Sequence, residues 1–126
     1  MPSREQLPDR RRCETRKLKV NGVSVHYCVG FYSDGRPGEL FLDMHRQGTA
    51  VRAWCEATAK LVSLMLQYGV PLCEVVGALV GHGTEPFGEV DVEGHPMVKR
   101  SSGVLDAVVR AMALDYLANE APEGLL

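Results

Sequence analysis

Long hydrophobic runs are missing from this chain: nowhere do eighteen apolar residues follow one another, and the polar segment after Met1 holds no apolar stretch of signal-peptide length. A soluble, cytoplasmic protein is the expectation. Cysteine is sparse and scattered. Cys13, Cys28, Cys55 and Cys73 form no Cys-x-x-Cys pair, and His26, His45, His82 and His95 supply no His-x-x-x-His spacing. Free thiols are therefore expected rather than a disulfide framework, and no metal site is expected. Aromatics make up only 6% of the chain, which leaves little for stacking nucleic-acid bases. A net charge of −2 gives no global pull toward nucleic acid or an anionic membrane. Internal repeats and low-complexity tracts are absent as well.

What is present reads as one compact domain, since 126 residues with 45% hydrophobic content can bury one core but not two. Charge is unevenly placed. Arg4, Arg10, Arg11, Arg12, Arg16, Lys17 and Lys19 outnumber Glu5, Asp9 and Glu14, so residues 1–19 carry +4 and the remainder about −6. Residues 1–14 show no periodicity and read as a basic arm, flexible unless the domain or a partner holds it. Residues 15–120 read as the domain and 121–126 as a frayed tail.

Within the domain, Leu18 and Val20 alternate with lysines, Asn21-Gly22 signals a type I′ hairpin, and Val23, Val25, Tyr27, Val29 and Phe31 resume the alternation. Turn residues fill 33–38, and a third strand is expected over 39–45. Helical spacing of Val51, Trp54, Cys55, Thr58, Leu61, Val62, Met65 and Tyr68 predicts a long helix ending at Gly69, with these residues in the core. Leu72 to Val80 predicts a shorter helix. Residues 81–100, with four glycines and two prolines, read as a long loop. A last helix is expected from a Ser101 or Ser102 cap, placing Leu105, Val108, Val109, Met112 and Tyr116 on one face. The fold class is α+β: a three-stranded antiparallel β-meander packed by two main helices plus a short one.

Candidate binding residues follow from charge and loop position. Arg10, Arg11 and Arg12 with Arg16 and Lys17 form a basic cluster suited to phosphates or an acidic protein surface, or to folding back on the acidic domain. Arg36 and Glu39 flank the turn between the second and third strands, where a planar guanidinium can meet a carboxylate or phosphate. Glu85, Glu89, Asp91 and Glu93 make the 81–100 loop acidic, and Phe87 lies among them. His26 and Cys28 share a strand face as plain neighbours. Asp106 and Arg110, four residues apart on the last helix, read as a surface pair.

Several stretches, in order, resemble one family: Leu7-Pro8-Asp9-Arg10-Arg11, Thr15-Arg16-Lys17, Gly30-Phe31-Tyr32-Ser33-Asp34-Gly35-Arg36-Pro37-Gly38-Glu39-Leu40-Phe41-Leu42, and Leu66-Gln67-Tyr68-Gly69-Val70-Pro71-Leu72. Glu85-Pro86-Phe87-Gly88 resembles a variant of a further loop, and 101–117 the final helix. The resemblance is to the C-terminal accessory region, of TSCPD type, of adenosylcobalamin-dependent class II ribonucleotide reductases. Arg100-Ser101-Ser102-Gly103-Val104-Leu105 stands where the name-giving motif falls and has no cysteine. The resemblance implies a non-catalytic accessory or regulatory module, because in the full-length enzymes the catalytic barrel holds the cobalamin site, the radical cysteine and the substrate thiols. It implies no cofactor in this chain, with adenosylcobalamin belonging to a separate barrel subunit, and as partner either a second copy or a ribonucleotide reductase catalytic subunit. Two other readings stay open: a separately encoded subunit of a split ribonucleoside-diphosphate reductase, and a small nucleic-acid-binding protein using the basic arm.

Overall fold

A computed structural model describes residues 3–44, 49–83, 88–92 and 100–117. The expected tail, 121–126, lies outside them. Asn21 and Gly22 both take positive φ (48° and 80°), as a type I′ turn requires. They join β1 (Cys13–Val20) to β2 (Val23–Phe31) in unbroken antiparallel register from Val20 opposite Val23 to Cys13 opposite Gly30. Gly35, at φ 92°, turns the chain into β3 (Pro37–Asp43), which pairs with the other side of β2. The expected meander is therefore present.

The sheet is larger than that. Within the segment expected to be a loop, β4 (Gly88–Val92) pairs with the free side of β1, Val90 opposite Val20 and Val92 opposite Leu18. A two-residue β5 (Arg100–Ser101) pairs with β4, giving the order β3-β2-β1-β4-β5. Val90 and Val92 alternate with Glu89 and Asp91 over too short a span to stand out among glycines. Partner β1, some seventy residues upstream, makes this segment a strand, and that partner is not a local signal.

One face of the sheet carries Leu18, Val20, Val25, Tyr27, Val29, Leu40 and Leu42, all buried, at the period of two that puts alternate residues on one side. Helix α3 (Val104–Tyr116) lies in this core with nine buried residues, and α2 (Leu72–Leu79) adds Leu72, Val75 and Val76. Helix α1 (Thr49–Gln67) runs beside β3, the edge strand. Its Cys55, Ala59, Val62 and Leu66 enter the core. Its Ser63 Oγ accepts the Leu40 N–H at 2.9 Å, and the hydroxyl faces the carbonyls of Ala59 (2.9 Å) and Leu40 (3.2 Å). A helix hydroxyl thus occupies backbone groups that an open sheet edge would leave free for another strand.

Two expectations for the core are corrected. Trp54, Leu61, Met65 and Tyr68 are exposed, Trp54 at 75% and Leu61 at 60%, because α1 turns the strip at 55, 59, 62, 63, 66 and 67 toward the sheet. Asp106, expected at the surface with Arg110, is completely buried. Its Oδ1 accepts the Gly81 N–H (2.6 Å) and the Arg110 Nε–H (2.8 Å), and its Oδ2 the Ser102 N–H (2.8 Å). Gly81 ends α2 with φ 80°, so one carboxylate joins the end of α2, the turn after β5 and the first turn of α3. Neither expected serine caps α3. Gly103 holds the cap position with no side-chain bond, and Asp106 reaches back from the first turn instead, close to a capping box.

Burial pushes the Asp106 carboxyl up, but the two backbone N–H groups and the Arg110 guanidinium outweigh it and hold it below the usual carboxylate value. A depressed folded-state pKa contributes stability that is complete above the unfolded value near pH 4 and is lost as pH falls through the folded value. Asp106→Asn is expected to destabilise the protein by roughly 3 kcal/mol at neutral pH, the scale of lost charge-assisted bonds. In urea unfolding, the gap between wild type and variant should narrow from pH 7 toward pH 2. A gap independent of pH would show that the charge of Asp106 contributes nothing.

Candidate functional site

Three of the residues expected to bind ligands, Arg11, Arg36 and Glu39, lie in a network around the turn before β3. Asp34 accepts the Arg36 backbone N–H (3.0 Å) and Nε–H (2.7 Å), and these bonds hold its carboxyl below the usual range. The Arg36 guanidinium lies over the Tyr32 ring, 4.7 Å from the centroid, and its Nη2 donates to both oxygens of Glu5 (3.0 and 2.9 Å). Tyr32 Oη donates to the Glu5 carbonyl at 2.7 Å. Farther along the arm, Arg4 Nε donates to Gln67 Oε1 at 2.5 Å, the Glu5 N–H donates to the Gln67 carbonyl at 2.9 Å, and Gln67 Nε2 donates to the Gly38 carbonyl at 2.9 Å. The arm is therefore sewn to the end of α1 and the start of β3.

Glu39 is the deepest member of this network, 3% exposed. Arg11 pairs with it: its Nη2 donates to Oε1 at 3.0 Å, and its Nε lies 2.5 Å from Oε2 in an ion-pair contact. The Glu39 bond strengthens the hold of Arg11 on its proton. Glycines make the room: a Cβ on Gly30, the cross-strand partner of Glu39, would stand 2.6 Å from the Glu39 side chain, and one on Gly38 would stand 2.6 Å from the Tyr32 ring. The glycines of the 30–42 stretch thus hold the arm in place.

Of the expected binding residues, Arg11, Arg36 and Glu39 belong to this clasp. Arg16 does not; on the core side of β1 it makes a bidentate pair with Asp115 at 2.9 and 3.1 Å. Arg12 lies over the Phe31 ring at 4.4 Å, and Phe31 meets Tyr116 edge-on at 5.4 Å. Arg10 and Lys17 are exposed. Glu85 and Phe87 lie outside the described residues. Cys13 and Cys28 come together on the outer sheet face, where burial and the neighbouring Cys28 thiol raise the Cys13 pKa, opposite to what a thiolate nucleophile needs. Among the described residues, no group of three or more His, Cys, Asp or Glu is placed to hold a metal ion, and no helix is long and apolar enough to cross a membrane. A cleft of about 500 Å³ separates arm, β3 and α1, lined by Arg4, Arg11, Lys60, Asp9, Phe41 and Leu64 among others.

Sequence reasoning missed the outer face of α1. Trp54, Leu61, Leu64 and Met65 stand exposed along it, Tyr68 just past its end continues it, and Phe41 (56% exposed) faces solvent from β3 beside the cleft that Leu64 also lines. Ala50, Ala53 and Ala57 complete the face. A signal existed: the only charged residues of α1, Arg52, Glu56 and Lys60, recur every fourth residue and so occupy one strip. An ordinary surface helix is polar over the whole side opposite its core stripe.

The TSCPD domain family matches residues 2–116 of this chain. Among curated relatives, a vitamin B12-dependent ribonucleotide reductase of Bradyrhizobium diazoefficiens is 44% identical over 118 residues, covering 94% of this chain and 9% of the relative. The enzyme of the same description from Agrobacterium fabrum is 45% identical over 114 residues (90% and 9%). That from Rhodopirellula baltica is 32% identical over 117 residues (93% and 11%). The chain thus spans about a tenth of the length of these relatives. No solved structure matches.

Gly30→Ala is expected to destabilise the fold by about 1–3 kcal/mol, the cost of overpacking, and by less when it is introduced into the Glu39→Ala protein than into the wild type. Thermal unfolding of the wild type, the two single variants and the double variant decides this. An equal loss in both backgrounds would show that Gly30 does not make room for Glu39.

Proposed function

The chain belongs to the TSCPD domain family, and from that premise we propose that it is a non-catalytic accessory module of ribonucleotide reduction that acts by binding protein. The single observation that carries this reading is the open apolar face of α1. A helix that turns a tryptophan, two leucines and a methionine to solvent beside its core stripe, with an exposed tyrosine just past its end, is built to be covered. Large aromatic and aliphatic side chains of this kind dominate the energy of protein interfaces.

The chemistry of the other groups supports binding over turnover. Arg11, Arg16 and Arg36 are matched to carboxylates, and burial raises the Cys13 and Cys55 thiols and the Tyr27 phenol. These groups rest in their ordinary protonation states at neutral pH. The cleft of about 500 Å³, lined by charges of both signs, is of a size for small ligands. Adenosylcobalamin stays with a catalytic subunit in this reading. A catalytic barrel that receives this chain as the missing part of a split ribonucleoside-diphosphate reductase is the most specific form of the proposal; the relatives' names support a link to ribonucleotide reduction. Nucleic acid is the weaker partner, because a guanidinium already saturated by a carboxylate has little left for a phosphate.

The test is a titration of the chain into a vitamin B12-dependent ribonucleotide reductase trimmed of its own matching region, followed by size-exclusion chromatography and adenosylcobalamin-dependent nucleotide reduction. Complex formation is expected; Trp54→Glu weakens assembly through α1, whether with the reductase or between copies of the chain, at least tenfold while the circular dichroism of the free chain is unchanged. No complex at tens of micromolar, together with salt-sensitive binding of a single-stranded oligonucleotide, would overturn the reading in favour of the basic arm.

A further inference from the structure

Resting on the docking role of α1, we infer that the occupant of its outer face is a second copy of this chain, the two α1 helices packing antiparallel about a twofold axis near Thr58. The face is self-complementary in size. Its first half is small, with Ala50, Ala53 and Ala57, and its second half is large, with Leu61, Leu64 and Tyr68. Residues at i, i+3, i+4 and i+7 share a helix face, so reversing one helix against the other about that axis sets Ala50 against Tyr68, Ala53 against Leu64 and Ala57 against Leu61. Trp54 meets Met65, a sulfur–aromatic contact. A parallel pair would set Trp54 on Trp54 and Leu61 on Leu61, leaving the alanines over gaps.

Charge and area agree with the same arrangement. Glu56 and Lys60 border this face on one side only, and the twofold brings Lys60 of each copy beside Glu56 of the other, as rim charges do in paired helices. The five exposed large side chains of α1 and the three alanines leave about 600 Å² of apolar surface per copy, taking roughly 150–250 Å² for a full aromatic side chain. That lies at the upper end of what a monomer leaves bare, roughly 300–600 Å², and is most of the roughly 800 Å² per partner of a standard interface. Phe41 and Leu64, at the mouth of the cleft, continue the apolar surface toward β3. At Leu40 the open side of β3 is taken by Ser63, which disfavours joining of sheets there and leaves the helix face as the pairing surface.

Sedimentation equilibrium of the 126-residue chain from 1 to 100 µM measures the pairing. The expected mass is twice the 13.8 kDa of one chain. Ala57→Glu and Leu61→Lys are each expected to weaken the dimer at least tenfold, since each sets a charge against an apolar residue, without changing the circular dichroism of the monomer. Mixing the two variants is expected to restore dimer, because the antiparallel register places the new carboxylate opposite the new ammonium. A chain monomeric throughout this range, or a dimer indifferent to Ala57→Glu, overturns the twofold pairing. If that monomer still binds the trimmed reductase in a Trp54-dependent way, the docking role stands and only its occupant is wrong. If the chain dimerises and the mixture fails to rescue, the antiparallel register is wrong.

Discussion

A carboxylate with no solvent exposure fixes the centre of this molecule. Asp106 stands at the first turn of the most deeply buried helix and takes hydrogen bonds from the end of α2, the turn after β5 and Arg110. Taking a charge out of water costs several kcal/mol unless it is paired and hydrogen-bonded. The positive end of a helix dipole and two fixed backbone donors meet that requirement with almost no side-chain entropy lost. With α3 so anchored, its apolar residues fill the space under the sheet from Val104 to Met112, and α2 is held at the same point. The layers of the fold then follow from covering one face of a twisted sheet.

The second organising constraint is the clasp around Glu39. A buried glutamate at a strand start demands a cation. The chain supplies Arg11 from an arm that its composition alone would leave loose, and two glycines keep the approach open. The same clasp changes what the basic arm is able to do. The positive charge of residues 1–19, the best electrostatic feature of the sequence, is in part consumed within the fold through Arg11 and Glu39 and through Arg16 and Asp115.

Helix α1 is the element in which fold and function meet. Its core strip of Cys55, Ala59, Val62 and Leu66 is narrow, since it lies along a sheet edge and not over a sheet face. The geometry leaves the neighbouring apolar positions uncovered, and the three charged residues are confined to a third strip. Such a helix satisfies the core with one side and leaves the other apolar and bare, and the proposed protein-binding role rests on this division.

The sequence by itself determined the hairpin, the meander and the three helices, because Asn21-Gly22, the strand alternation and the apolar spacing are local patterns set by backbone sterics and by periods of 2 and 3.6. Family membership was legible too, in the Gly30–Leu42 and Leu66–Leu72 stretches. Tertiary structure alone decided the rest. β4 exists because β1 has an open side. Asp106 and Arg110 show the i, i+4 spacing of a surface pair, and only the arrival of Gly81 and Ser102 makes the site internal. Trp54 and Leu61 look like core residues in any one-dimensional pattern, since apolar spacing records which residues share a helix face but not how many faces the rest of the molecule covers.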